Sequence, residues 1–143
     1  AGAKGMGAVL LAPEALFGQN PGVMNSGQFG EAYVAWRLEK KGARILARNW
    51  HSRYGEIDII AQYQKLLLFV EVKTRHQGSE SDPLEAVTKG KQRRLICTAQ
   101  AFLLQKQEWR SYQPRFDVAA VWLGESGKVC AFTYVPGAFD ARL

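Results

Sequence analysis

Acids at alternate positions in two apolar runs, Gly55-Glu56-Ile57-Asp58-Ile59-Ile60 and Leu68-Phe69-Val70-Glu71-Val72-Lys73, are the residues of this chain best suited to chemistry. Side chains alternate faces along a strand, so Glu56 and Asp58 share one face of the first run. Glu71 and Lys73 likewise share one face of the second. Desolvating a lone carboxylate is very costly, so ionised groups in such strands are paired or bind a cation. Several carboxylates and one lysine on a rigid sheet suit a divalent-metal phosphodiesterase. Hard carboxylate oxygens favour Mg²⁺ or Mn²⁺ over zinc, and the sequence has no Cys/His cluster at zinc-ligand spacing. The competing reading is an ordinary sheet whose acids pair with Lys73, Arg53 or Arg75 near the strand ends.

The elements that would position these groups follow from the spacing. Gln62-Tyr63-Gln64-Lys65 is short and polar, so a hairpin joins the two runs. A two-residue loop at Tyr63 and Gln64 would pair Gln62 with Lys65, Asp58 with Phe69 and Glu56 with Glu71. Asp58 would then lie diagonally from Glu71 on one face. Upstream, residues 26–41 read as a helix terminated by Gly42. Glu31 falls there on the stripe of Val34, Ala35 and Leu38, either aligned with the buried face or placed as a first-turn acid favoured by the helix dipole. Phe29, Tyr33 and Trp36 form a second stripe, which leaves open which face is buried and offers an interface for a homodimer. Residues 44–49 predict a further strand. Asp82, Pro83 and Glu85 mark a short turn, and Thr88 caps a main helix running to about Gln107. Strands are expected near 115–123 and 128–135.

The ordered series Gly30-Glu31 with Ala35, Arg48-Asn49-Trp50, Gly55-Glu56-Ile57-Asp58, Phe69-Val70-Glu71-Val72-Lys73-Thr74-Arg75, Glu85-Ala86-Val87 and Lys91-Gln92-Arg93-Arg94 closely resembles the bacterial YraN-like family. That family is distantly similar to the archaeal Holliday junction resolvases of the PD-(D/E)XK nuclease superfamily. The resemblance covers roughly residues 27–121 and implies an α/β, restriction-endonuclease-like fold, a mixed β-sheet flanked by helices. It implies Asp58, Glu71 and Lys73 as the catalytic core, with Glu31 as the helical acid. Ile57 stands where the superfamily motif carries a proline. Asp58 and Glu71 would hold Mg²⁺ or Mn²⁺, with the Val72 carbonyl and Glu31 as further ligands. Some branches place a glutamine beside the lysine. Gln92, at the centre of the main helix's apolar stripe, is the residue for that role, or else simply closes the stripe's solvent end.

A chain of 143 residues fits one domain over 26–143, after a Gly-, Ala- and Pro-rich opening read as a flexible extension over 1–25. The net charge of +6 suggests a polyanionic partner. Lys89, Lys91, Arg93 and Arg94 cluster at one helix start, while Arg53 and Arg75 flank the acids, so these six are the expected nucleic-acid contacts. Trp36, Trp50, Trp109 and Trp122 read as core or interface residues, with Trp50, near Arg53, the one to test for DNA contact, and His51 and His76 read as loop residues. Cys97 and Cys130 read as reduced core residues of a cytoplasmic protein. The apolar stretch Ala8-Val9-Leu10-Leu11-Ala12 is too short to span a membrane. The combined expectation is a metal-dependent endonuclease acting on DNA, favoured over RNA, with branched or repair and recombination intermediates as substrates. A non-catalytic nucleic-acid-binding or docking module on the same fold is the alternative.

Overall fold

Asn25 opens the first helix among the described residues by accepting the Gln28 backbone N–H at 2.8 Å, while the Gln28 side chain accepts the Asn25 N–H at 3.1 Å. This reciprocal cap satisfies two amides that a helix start leaves free. The computed structural model describes residues 25–141 and 143. The expected extension therefore lies almost wholly outside the described residues. Helix α1 spans Ser26–Lys40 and is followed by strands β1 (Arg44–Ser52), β2 (Gly55–Tyr63) and β3 (Leu66–His76). A short 3₁₀ turn (Pro83–Ala86), helix α2 (Lys89–Gln105), a second 3₁₀ turn (Gln107–Trp109) and strands β4 (Gln113–Leu123) and β5 (Val129–Phe139) complete the chain. Gly42 at φ 100° ends the first helical segment, and the Thr88 hydroxyl caps α2 by accepting the Lys91 N–H.

The five strands lie in sequence order in one mixed sheet, and only β3 and β4 run parallel. A parallel neighbour needs a crossover, which α2 supplies. Helices cover both faces, so the central strands are apolar at successive positions. Phe29, Val34 and Leu38 of α1 pack on Ile59, Leu68, Val70 and Val121. Leu95, Ala99 and Phe102 of α2 pack on Ile57, Ile60, Leu67, Phe69 and Val118. Helix α1 approaches β3 so closely that a Cβ on Gly30 would collide with the Thr74 hydroxyl oxygen.

Several expectations need correction. The hairpin turns at Gln64 and Lys65, so Tyr63 pairs with Leu66 and Ile60 with Phe69. That register differs by two residues from the expected one, and an even shift leaves every side chain on its face. Strand β1 continues past Asn49, which adopts φ 51° within it, so His51 lies in a strand; His76 likewise ends β3. Phe29 and Tyr33 are buried, which removes them from any exposed interface. Trp50 is half-buried, its ring edge-on to Phe102 at 5.3 Å. Cys130 is exposed on β5, whereas Cys97 is half-buried.

Strand β5 also outruns its expected end, through Pro136 and Gly137, by way of a bulge. Phe116 pairs with Phe139 and Val118 with Val135, so the intervening β5 residues arch over Asp117. Asp117, 1% exposed, accepts two bonds from the Arg115 guanidinium at 2.9 and 3.0 Å. It also accepts the Tyr134 hydroxyl and the Gly137 N–H, the latter at 2.9 Å. Burial and the Asp117 charge hold the Tyr134 phenol protonated well above its ordinary range.

Candidate active site at a strand fork

Strands β2 and β3 pair only as far as Ile59 and Val70. Beyond that point β2 stays with β1, through Ile57–Trp50 and Glu56–His51, while β3 stays with β4. The fork opens at Asp58 and Glu71, the next residue of each strand. Asp58 spans it with its side chain: Oδ2 accepts the Val72 N–H at 2.7 Å. A carboxylate here replaces the ladder bond that the diverging backbones do not make.

Electrostatics at the fork are strained. Burial, followed by the nearby charge of Glu71, pushes the Asp58 carboxyl up to about 7. The Val72 N–H pulls in the opposite direction, and Glu31 and Glu56 add further repulsion. Glu31 reaches the same neighbourhood from α1. Its carboxyl is raised by burial, opposed by a hydrogen bond from Asn49 and the charge of Arg48, then raised again by Glu56 and Glu71. The left-handed backbone of Asn49 thus serves to present its side chain to Glu31. Glu56 is also 3.7 Å from His51 Nε2.

Glu71 is 4% exposed and incompletely bonded. Lys73 Nζ stands 3.5 Å and Lys91 Nζ 3.3 Å from the same oxygen, Oε2. Both exceed the usual 2.7–2.9 Å of a charge-assisted hydrogen bond. Buried Oε1 has no hydrogen-bond partner. Leaving such an atom unsatisfied costs roughly 1–3 kcal/mol or more for a charged group.

The donor set fits a hard divalent cation: clustered carboxylates, one orphaned buried oxygen and no nearby thiolate. It is not a finished cage. Among the described residues no group of three or more His, Cys, Asp and Glu side chains is arranged to hold an ion. Gln92 donates its amide to the Val87 carbonyl at 3.1 Å, tying α2 to the preceding turn. Lys91, expected to contact nucleic acid with the rest of the helix start, turns in to Glu71, because its long stem reaches over the fork from the first turn of α2.

The other expected nucleic-acid contacts lie on α2, the β1–β2 turn and β3. Lys89, Arg93 and Arg94 are exposed at the start of α2, and Arg53 is exposed in the β1–β2 turn. Arg75 is half-buried near the end of β3. Gly55, which opens β2 after that turn, lies beside Arg94 and Thr98 of α2. Sequence reasoning missed Tyr54, which is 42% exposed with the Arg53 guanidinium 5.0 Å from its ring centroid. An aromatic beside an arginine in a Gly-containing turn was the available signal. Among the described residues no helix is long and apolar enough to cross a membrane.

Sequence comparisons place the chain among relatives of similar length. A UPF0102 protein of Syntrophotalea carbinolica is 42% identical over 117 residues, covering 82% of this chain and 93% of its relative. One from a Synechococcus strain is 45% identical over 122 residues, with coverages of 82% and 93%. Another, from Alkaliphilus metalliredigens, is 42% identical over 113 residues, with coverages of 79% and 96%. The pattern of the uncharacterised protein family UPF0102 matches residues 30–121, from the glycine that seats α1 on β3 to Val121 near the end of β4. With its fork, its helical acid and its basic helix start all inside that match, the chain belongs to UPF0102, the YraN family.

Proposed function

We propose that this protein is a Mg²⁺- or Mn²⁺-dependent endonuclease acting on DNA, built on the restriction-endonuclease-like PD-(D/E)XK fold. The carrying observation is Glu71: a buried carboxylate with one orphaned oxygen, beside an Asp58 that burial, and then the Glu71 charge, push toward neutrality. Sheet topology and the ordered motifs are compatible with that fold. Asp58, Glu71 and Glu31 would hold the cation, with the Val72 carbonyl as a further ligand. Bound there, it would lower the pKa of a coordinated water and offset charge on a phosphate. Lys73 is close enough to Glu71 to orient the attacking water or meet the charge that develops on the phosphate. Arg53, Arg75, Lys89, Arg93 and Arg94 would track the backbone of DNA, with branched repair or recombination intermediates as substrates by analogy with the resolvases.

A second reading has its own support. The acids do not form a ready ion cage, and two lysines already neutralise Glu71. Both facts favour a non-catalytic module that docks nucleic acid through the same basic surface. A cleavage panel of single-stranded, duplex and four-way-junction DNA and matched RNA, with Mg²⁺ or Mn²⁺, separates the two. Cation-dependent cleavage lost in Glu71→Gln is the expected result. Cation-independent binding without cleavage of any substrate would leave the docking module.

A further inference from the structure

Lys91 is set apart from the basic residues around it. Lys89, Arg93 and Arg94 are exposed to solvent, whereas the Lys91 side chain is 31% exposed and ends 3.3 Å from Glu71 Oε2. Lys73 lies 3.5 Å from the same oxygen, so two ammonium groups crowd one atom while Oε1 beside it has none. Neither distance is that of a tight charge-assisted bond. One lysine suffices to balance one carboxylate. The second is held by a charge that other groups would share if a cation were present.

Its surroundings make Lys91 easy to release. It lies in the first turn of α2, where the helix end itself favours anions, on a flexible stem whose neighbours are basic. A divalent cation on Glu71 and Asp58 would take up the negative charge that holds Lys91. It would also set like charge beside the ammonium, turning attraction into repulsion. The nearest favourable partner for a displaced Lys91 is then a phosphate lying along the Lys89–Arg94 surface.

We propose that Lys91 is a phosphate-binding residue gated by cation loading, docked on Glu71 when the acids are empty and released to the substrate backbone when they are filled. This rests on the metal-dependent reading of the fork. It predicts that Lys91 contributes nothing to nucleic-acid affinity without a cation and one phosphate contact with it.

Junction-DNA affinity should be measured against salt in EDTA and in Ca²⁺, an oxygen-preferring cation, for the parent, Lys91→Met and Arg93→Met. Calorimetry should give Ca²⁺ affinity without DNA. Lys91→Met should match the parent in EDTA and lose about one unit of log–log salt slope in Ca²⁺. Arg93→Met should lose a similar amount in both buffers. Lys91→Met should also bind Ca²⁺ several-fold more tightly, because one competing positive charge is gone. Lys91→Gln serves if the methionine variant melts early. Equal losses in both buffers would make Lys91 an ordinary surface contact, and no loss in either would make it a structural strut; both overturn the proposal. Cation uptake by a parent that binds no DNA overturns it too, while leaving the metal site standing. A parent that takes up no cation overturns this proposal and the metal-dependent reading together.

Discussion

Asp117 and Glu71 are both buried acids in apolar strands, yet their surroundings are opposite. Asp117 has both oxygens bonded, to a bidentate arginine, a phenol and a backbone amide. Glu71 shares one oxygen loosely between two lysines and leaves the other bare. A buried charge that is fully bonded belongs to the framework, because nothing further can be added to it. One held in the fold while under-bonded has capacity for a ligand. The two sites differ as a closed joint differs from an open socket.

The largest effect should come from breaking the closed joint. Asp117→Ala leaves Arg115 uncompensated and removes the anchor of the β5 bulge. Unfolding stability should fall by about 3–5 kcal/mol, the usual cost of breaking a buried pair, with cation affinity unchanged. Glu71→Gln should move stability by no more than about 1 kcal/mol, because lost ion pairs are offset by relief of repulsion on Asp58, and should abolish cation uptake. Denaturant titrations of both variants, with calorimetric Mn²⁺ binding, check this. Equal destabilisation would erase the distinction between the sites.

Next in size is Lys73→Met. If the fork cleaves phosphodiesters, this variant should bind Mn²⁺ at least as tightly as the parent, since a positive charge beside Glu71 is gone, and lose on the order of 10²–10³ in turnover, as when one preorganised electrostatic group is removed. Single-turnover cleavage kinetics would measure it, and turnover equal to the parent's would take Lys73 out of the chemistry.

Gly30→Ala tests how the open site depends on the seating of α1. The added Cβ meets the Thr74 hydroxyl, so α1 must shift at about 1–3 kcal/mol, the range for overpacking. Glu31 would move with it, weakening cation binding but not the Asp117 network. Adding Thr74→Ala should restore part of both losses, and a purely additive double mutant would show that the two residues do not meet.

The smallest effect is in pH. Folded Asp58 keeps its proton to about 7, whereas the unfolded carboxyl releases it near 3.8. The folded state therefore binds more protons between those values, and stability falls as pH rises through that window. Between pH 6 and 8 the cation-free protein should lose about 1 kcal/mol, since one pKa unit is worth roughly 1.4. Asp58→Asn should flatten that melting profile, and saturating Mn²⁺ should cancel it. A parent whose stability rises over this range would contradict the repulsion at the fork.

Much of this was legible from residue order. Apolar runs and local signals marked the helices and sheet, because Thr88 and Gly42 act locally. Acids at alternate strand positions pointed to the fork, and the two-residue error in hairpin register left their faces intact. The contrast with Asp117 was not legible. Phe116-Asp117-Val118 carries the same signal as Val70-Glu71-Val72, and only partners from other strands decide which acid is satisfied. The last strand was expected to end at 135, whereas the bulge that carries it through Pro136 and Gly137 to Asp117 is a tertiary feature. Lys91 was misplaced because a helical wheel fixes the direction of a Cβ, not the reach of a four-carbon stem.

The bulge over Asp117 has one more consequence, for how this protein meets other copies of itself. Strand β5 is an outer strand of the sheet, with a row of amides and carbonyls on its far side. Such a row invites pairing with a neighbouring chain, and bulges and prolines are common means of blunting it. Pro136 removes a donor from β5, and Gly137, at φ 59°, turns its own amide inward to Asp117. The opposite outer strand, β1, is interrupted by a register shift between Ile45 and Ala47 and by the left-handed Asn49. Both margins of the sheet are thus spoiled as templates, one by the arch over Asp117 and the other by the residue that steadies Glu31. Protection against edge-to-edge aggregation is built from the same distortions that hold the two acids.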